Sequence, residues 1–353
     1  MKICFICGRE PEYARNRIIL NGLKMNGVEV VECTSSSKSA LKRFFSVMLR
    51  LPFKKRGCDA VFVGFFGQPL MPFVKLLTRK KIVFDAFLSA YDTQVFDKQV
   101  VKKDSLKARF WFLLDKYACS LADRVLVDTE QHVSYFSKTF GIPKKKISRL
   151  FIGADDNLFK PMDVKKNKDF VVEFHGEFIP LQGVEYIIKA AKILEKHKDI
   201  KFRIIGKGQT FEMCTALAKK LNLKNVRFEG YMKFTEIPQA IAESDIGLGI
   251  FGVTEKAKRV IPNKAYEIIA MKRALITAET PAALELFENR KNVLFCKPSD
   301  EKSLAEAILE LKNNPKLKEK IAENGYKLFK EKCCTAVLGR EVKGVLEEVA
   351  WKQ

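Results

Sequence analysis

Pro262-Asn263-Lys264-Ala265-Tyr266-Glu267-Ile268-Ile269-Ala270-Met271, followed after two residues by Ala274-Leu275-Ile276-Thr277, reads as a loop end, a helix, a tight turn and a short apolar strand. Pro262 suits a helix start, where its missing N–H would have no partner anyway. Ala265, Ile268 and Ile269 recur at helical spacing and give the helix a buried face. Glu267 is expected on the first turns, where the helix dipole favours a carboxylate. The free N–H groups of such an end also attract phosphate. A carboxylate for sugar hydroxyls beside a phosphate-attracting helix end suits a sugar nucleotide. An ordinary helix with a solvated glutamate has the same local sequence, since helix starts often carry Glu.

The same alternation of short apolar strands and helices extends through the chain. Lys2–Cys7, Val28–Cys33, Ala60–Gly64, Ile82–Phe84 and Arg124–Val127 read as strands, separated by helical stretches such as Arg15–Asn26 and Ser105–Leu121. Phe151 to about Asn167 breaks the rhythm with Gly153, Asp155-Asp156, Pro161 and a charged run. The pattern then restarts at Phe170–Phe174 and continues past the opening stretch. Alternation of this kind predicts parallel sheets covered on both faces. The fold class is therefore α/β, with two doubly wound Rossmann-like domains. The expected extents are 1–160 and 161–335, with a helix over 336–353 packing back on the first domain. Such sheets bind ligands beyond the carboxyl ends of their strands, which places a ligand cleft between the two domains.

Composition narrows the function. At 353 residues two domains are the default, and 47% hydrophobic content supplies two cores. The nine cysteines are scattered without metal-ligand spacing. The strand at Met1-Lys2 leaves no room for a signal peptide, and no apolar run is long enough to span a bilayer. These features predict a cytoplasmic chain with reduced thiols. The formal net charge is +22, and residues 1–160 hold 29 Lys/Arg against 15 Asp/Glu. A nucleic acid, an anionic membrane surface or a lysine-rich proteome would each account for it.

Single motifs say little. Gly206-Lys207-Gly208 follows a strand and precedes a helix, which suits close backbone approach to a phosphate or a plain strand-to-helix turn. A complete dinucleotide fingerprint and a P-loop are both missing. His132, His175 and His197 form no metal motif, and no nucleophile elbow occurs.

Taken together, several stretches resemble the retaining glycosyltransferases of family 4, which have the GT-B fold. Leu150-Phe151-Ile152-Gly153-Ala154 with Phe159-Lys160-Pro161 resembles that family's linker. Phe174-His175-Gly176-Glu177-Phe178 through Gly183-Val184 resembles its first C-domain loop, and Phe228-Glu229-Gly230-Tyr231 its nucleobase side. Pro262 through Glu267 resembles its donor helix. The resemblance implies sugar transfer, with retention of configuration, from a nucleotide sugar to a glycan or lipid-linked acceptor in cell-surface polysaccharide or glycolipid synthesis. It implies neither metal nor resident cofactor. It places Gly176, Gly206, Gly208, Tyr231, Pro262, Asn263 and Lys264 around the donor, with Glu267 on its ribose hydroxyls. Gly8 and Arg9 fall on the acceptor side, and Asp85 is a candidate for a sugar hydroxyl or a strand-end cap.

The chain departs from the family pattern at three places. Glu177 and Gln182 stand where the family usually carries an Arg and a Lys for the diphosphate. Arg259 stands where the first of two glutamates is usual. The missing cations would have to come from Lys256, Lys258, Arg259 or Lys264, since departure of the diphosphate builds negative charge. A catalytically silent protein of the same fold, binding glycan, lipid or a partner enzyme, is the alternative.

Ser39–Phe53 also reads as a basic amphipathic helix. Leu41, Phe44, Phe45, Met48 and Leu51 form one stripe, and Lys42, Arg43, Ser46 and Arg50 face elsewhere. It suits a helix covering the sheet, or peripheral contact with the anionic inner face of the cell membrane. Aromatic residues interleaved with bases on an exposed strand platform, as single-stranded nucleic acid requires, are not found, so no nucleic acid partner is expected.

Overall fold

A computed structural model describes residues 1–98, 100–165 and 167–351. The chain forms two compact units. One is Met1–Asp155 together with the C-terminal stretch from Lys332, and the other is Asp156–Glu331. The first boundary thus lies five residues before the expected one, and the chain returns to the first unit at Lys332 rather than Ala336. The last two residues of the expected C-terminal helix, 352 and 353, lie outside the described residues.

The first unit opens with β1 (Lys2–Cys7), α1 (Ala14–Met25), β2 (Glu29–Glu32), α2 (Ala40–Lys54), β3 (Ala60–Gly64) and α3 (Met71–Leu77). It continues with β4 (Lys81–Phe87), the short α4 (Ala90–Asp92), α5 (Leu106–Leu121), β5 (Arg124–Val127), α6 (Glu130–Phe140) and β6 (Ile147–Arg149). Its six strands lie in the order β2-β1-β3-β4-β5-β6, all parallel. β1 and β3 are buried almost throughout, which is why they read as unbroken apolar runs. The helix over Thr335–Trp351 packs on α1 through Gly22 and Gly339. A Cβ on Gly339 would stand 2.1 Å from the Gly22 carbonyl carbon, so only glycine permits this approach.

The second unit contains β7 (Phe170–His175), α7 (Val184–Ile193), β8 (Ile200–Ile205), α8 (Phe211–Lys220), β9 (Val226–Gly230) and α9 (Ile237–Ala242). These are followed by β10 (Ile246–Leu248), α10 (Asn263–Ala270), β11 (Ala274–Ala278), β12 (Leu294–Cys296), α11 (Glu301–Asn313) and α12 (Pro315–Lys332). The order β12-β11-β10-β7-β8-β9 is again wholly parallel. β10 is shorter than the apolar run Ile246–Ile250 suggests, because its regular register with β11 ends at Leu248; Gly249 N still donates to Ile276 O at 2.8 Å and Ala278 N to Ile250 O at 3.0 Å. A Cβ on Gly249 would meet the Thr277 hydroxyl at 2.3 Å.

In each sheet the direction of strand addition reverses once, between β1 and β3 and between β7 and β10. The carboxyl ends of strands at such a reversal are where doubly wound sheets hold ligands. All nine cysteines are buried free thiols. Among the described residues no helix is long and apolar enough to cross a membrane.

Candidate functional site

At the carboxyl end of β7, strand alternation sends Glu173 and His175 to the same face, and both are buried. His175 is clamped between two carboxylates. Its Nδ1 lies 2.9 Å from Glu173 Oε1 and its Nε2 2.8 Å from Glu267 Oε2. Burial alone would lower the imidazole pKa, but the two carboxylates outweigh it and raise it to about 9. His175 is therefore a cation at neutral pH, donating from both nitrogens. Glu267 Oε1 takes no hydrogen bond among the described residues.

Lys264, in the first turn of α10, is also buried. Its ammonium donates to Gln182 Oε1 and lies 3.8 Å from the centre of the Phe174 ring. A Cβ on Gly176 would come within 2.8 Å of Lys264 Nζ, so the glycine makes room for the amine. Burial pulls the Lys264 pKa down to about 7, against the opposing pull of Glu173 and Glu267. The structure thus gathers Gly176, Gln182, Lys264 and Glu267 at one place. Lys264 reaches the very Gln182 that occupies the expected lysine position.

The helix begins at Asn263, as expected, with Pro262 (φ −70°, ψ 149°) as the residue just before it; one expectation about α10 is corrected. Glu267 is the fifth residue of the helix, beyond the first turn, so His175 rather than the dipole holds its charge. Asn263 is half-buried and begins the helix; Arg259 is half-buried on the loop before it.

The glycines after β8 have a packing explanation. A Cβ on Gly206 would stand 1.9 Å from the Gly176 carbonyl oxygen, and one on Gly208 2.6 Å from that of Phe178. Gly176 N donates to Ile205 O at 3.0 Å and Phe178 N to Lys207 O at 2.9 Å. Gly206 N donates to Gly230 O at 2.7 Å, so the loops after β7, β8 and β9 are laced together. Glu177 and Tyr231 stand exposed on two of these loops.

In the first unit Asp85 is fully buried and both its oxygens are occupied. Arg15 Nε donates to Oδ2 at 3.0 Å and Nη2 to Oδ1 at 2.9 Å. The same guanidinium donates from Nη1 to Phe151 O at 2.6 Å. With both oxygens held by Arg15, the geometry favours the structural of the two expected readings of Asp85 over a sugar-hydroxyl acceptor. Gly8 is pressed against the loop after β3, where a Cβ would stand 1.8 Å from Phe66 O. Arg9 is exposed, with its guanidinium 5.3 Å from the centre of the Tyr13 ring.

Sequence reasoning missed Glu173 and His175 as a working pair. A glutamate inside an otherwise apolar strand, two residues from a histidine, was the available signal. It also missed Phe66 and Phe87, both at left-handed φ (58° and 59°) beyond β3 and at the end of β4. Such strain costs about 1–3 kcal/mol per residue and gathers at functional sites. Nothing in a phenylalanine announces it.

Residues 156–328, nearly all of the second unit, match the family model of glycosyl transferases group 1. The second unit is thus similar to the group 1 glycosyltransferases. An uncharacterized glycosyltransferase of Methanocaldococcus jannaschii is 25% identical over 255 residues, 71% of this chain and 66% of that protein, just under two thirds of its length. CapM of Staphylococcus aureus, a capsular polysaccharide biosynthesis glycosyltransferase, is 20% identical over 283 residues, 74% of this chain and 71% of CapM. The crystal structure of Anabaena HepE in complex with UDP superposes with a TM-score of 0.73 at 15% identity, covering 99% of this chain and 100% of that one. The two parallel six-stranded sheets are accordingly those of a GT-B fold with two Rossmann-like domains.

Proposed function

We propose that this chain transfers a sugar from a nucleotide-sugar donor to a glycan or lipid-linked acceptor, retaining the anomeric configuration. The observation that carries the reading is the Glu173–His175–Glu267 cluster with Lys264 beside it. It lies at the strand ends where such sheets hold nucleotides, within the stretch that matches the group 1 model. Glu267 Oε1 accepts from the ribose hydroxyls while His175 fixes the carboxylate from behind. Lys264 supplies the cation that Gln182 and Glu177 do not, and Arg259 adds a planar, permanently charged donor near the same helix end. The acceptor oxygen bonds to the anomeric carbon as the bond to the diphosphate oxygen breaks. The hydroxyl proton passes to the departing diphosphate on the same face. Gly8 and Arg9 are assigned to the acceptor. HepE is crystallised with UDP, which makes a uridine diphosphate sugar the first donor to try. CapM places its own transfer in capsular polysaccharide synthesis, and this chain is assigned to a comparable cell-surface product.

Glu177, a carboxylate where the diphosphate would need a cation, favours a second reading: a protein that binds a nucleotide or glycan without transfer. Calorimetry with UDP and a panel of sugar nucleotides, followed by hydrolysis assays, separates the two. Binding with slow hydrolysis supports the transferase. Binding with no hydrolysis of any donor supports the silent protein. The absence of binding to any nucleotide overturns both donor-site readings.

A further inference from the structure

The helix α2 has two apolar faces, and only one of them is used by the core. Arg43, Val47 and Leu51 point inward and are buried. On the opposite face Leu41, Phe45, Leu49 and Phe53 recur every fourth residue and are 71%, 61%, 72% and 65% exposed. The expected stripe of Leu41, Phe44, Phe45, Met48 and Leu51 is therefore split between the two sides. Phe44 meets Phe45 on one side and Phe73 of α3 on the other, with ring centres 5.5 and 5.0 Å apart. The apolar surface thus continues onto α3, where Leu76 is 83% exposed.

The charges around this surface are overwhelmingly basic. Residues 33–84 carry eleven Lys/Arg and a single acidic residue, Asp59, whose Oδ2 accepts from Lys2 N. Arg43 and Arg50 are not available to a partner. Arg43 Nη1 is bound to Glu10 Oε1 at 2.7 Å and Ser37 O at 2.6 Å, and Arg50 donates to Ser46 O and Thr34 O. Lys42, Lys54, Arg56, Lys75, Arg79 and Lys80 are exposed.

We infer that the α2–α3 face docks on an anionic lipid bilayer, with Leu41, Phe45, Leu49 and Phe53 entering the headgroup–acyl boundary. Charge complementarity selects this occupant. A second copy would bring the same unneutralised lysines and arginines against each other. An anionic membrane offers apolar depth for the leucines and phenylalanines and a negative plane for the bases that flank them. The inference does not depend on the transfer reading, since it uses only the first unit.

The test is flotation of the full chain with vesicles of phosphatidylcholine alone, or with about one third phosphatidylglycerol, at low and high salt. Wild type is expected to float with the acidic vesicles, and less at high salt. F45S/L49S should lower the partition by at least about tenfold, because two large apolar side chains no longer enter the bilayer. The variant K42Q/K54Q/R56Q should flatten the salt response. All five side chains are exposed, so both variants should melt as wild type does. No flotation of wild type in any condition overturns the inference. So does equal flotation of all three proteins, or a wild-type dimer that F45S/L49S converts to monomer without any vesicle binding.

Discussion

His175 Nε2 stands 2.8 Å from Glu267 Oε2, joining the end of β7 to the middle of α10. With Glu173 on its other nitrogen, His175 is the cation that allows two carboxylates to be buried together. Its pKa of about 9 against an unfolded value near 6.5 makes it a source of stability. That contribution is fully present below pH 6.5 and is lost as pH rises through 9, on the order of 3 kcal/mol at most. Urea melts of wild type and His175→Gln should therefore differ most at pH 6 and converge above pH 9. A constant difference across that range would show that His175 does not titrate as a buried cation.

Glu267→Gln removes the charge that faces the proposed ribose while keeping the shape of the side chain. UDP affinity is expected to fall by about 1–3 kcal/mol, the scale of a hydrogen bond to a charged group. The measurement is calorimetry on protein whose circular dichroism matches wild type. Undiminished affinity would remove Glu267 from the donor site.

Lys264 differs from an ordinary phosphate-binding lysine because burial holds its pKa near 7. A diphosphate at this amine would favour the charged form, so binding should take up a proton. UDP affinity should be full below pH 7 and fall above it, by at most about tenfold per pH unit. Titrations between pH 6.5 and 8.5, in two buffers of different ionisation enthalpy, read both effects. Lys264→Met should weaken binding and abolish the slope. A slope that persists in the variant would assign the proton to another group.

The α/β class and both parallel sheets were legible because a strand buried on both faces must be apolar throughout, as in Cys4-Phe5-Ile6 and Ala274-Leu275-Ile276. The helix α10 was legible through the buried face of Ala265, Ile268 and Ile269. What escaped was long-range pairing between charged residues. Arg15 lies 70 residues from Asp85, and Glu267 lies 92 from His175. Local sequence shows such groups only as charges, and a charge is ordinarily solvent-facing. The two faces of α2 were mixed together because both are apolar, and periodicity does not tell which one the core takes. Glycines 206 and 208 suggested a phosphate loop, yet the neighbouring loop's carbonyls are enough to require them.

Asp85 separates a structural charge from a chemical one. It and Arg15 are both fully buried, and the guanidinium also holds the carbonyl oxygens of Leu150 and Phe151. Removing one member of such a pair leaves the other charge in a low-dielectric interior, at a cost of about 3–5 kcal/mol. Asp85→Asn keeps the volume and one acceptor oxygen but leaves Arg15 without a counter-charge. The expected result is a lower melting temperature and urea midpoint, with turnover per folded molecule within about twofold of wild type, since no reacting atom is touched. Arg15→Lys should behave alike, because the amine cannot span both carboxylate oxygens. Activity on any donor that the panel identifies should be measured at a temperature where both variants remain folded. A fall in turnover of a hundredfold or more with an unchanged melting temperature would return Asp85 to the chemistry and make Arg15 its positioning partner.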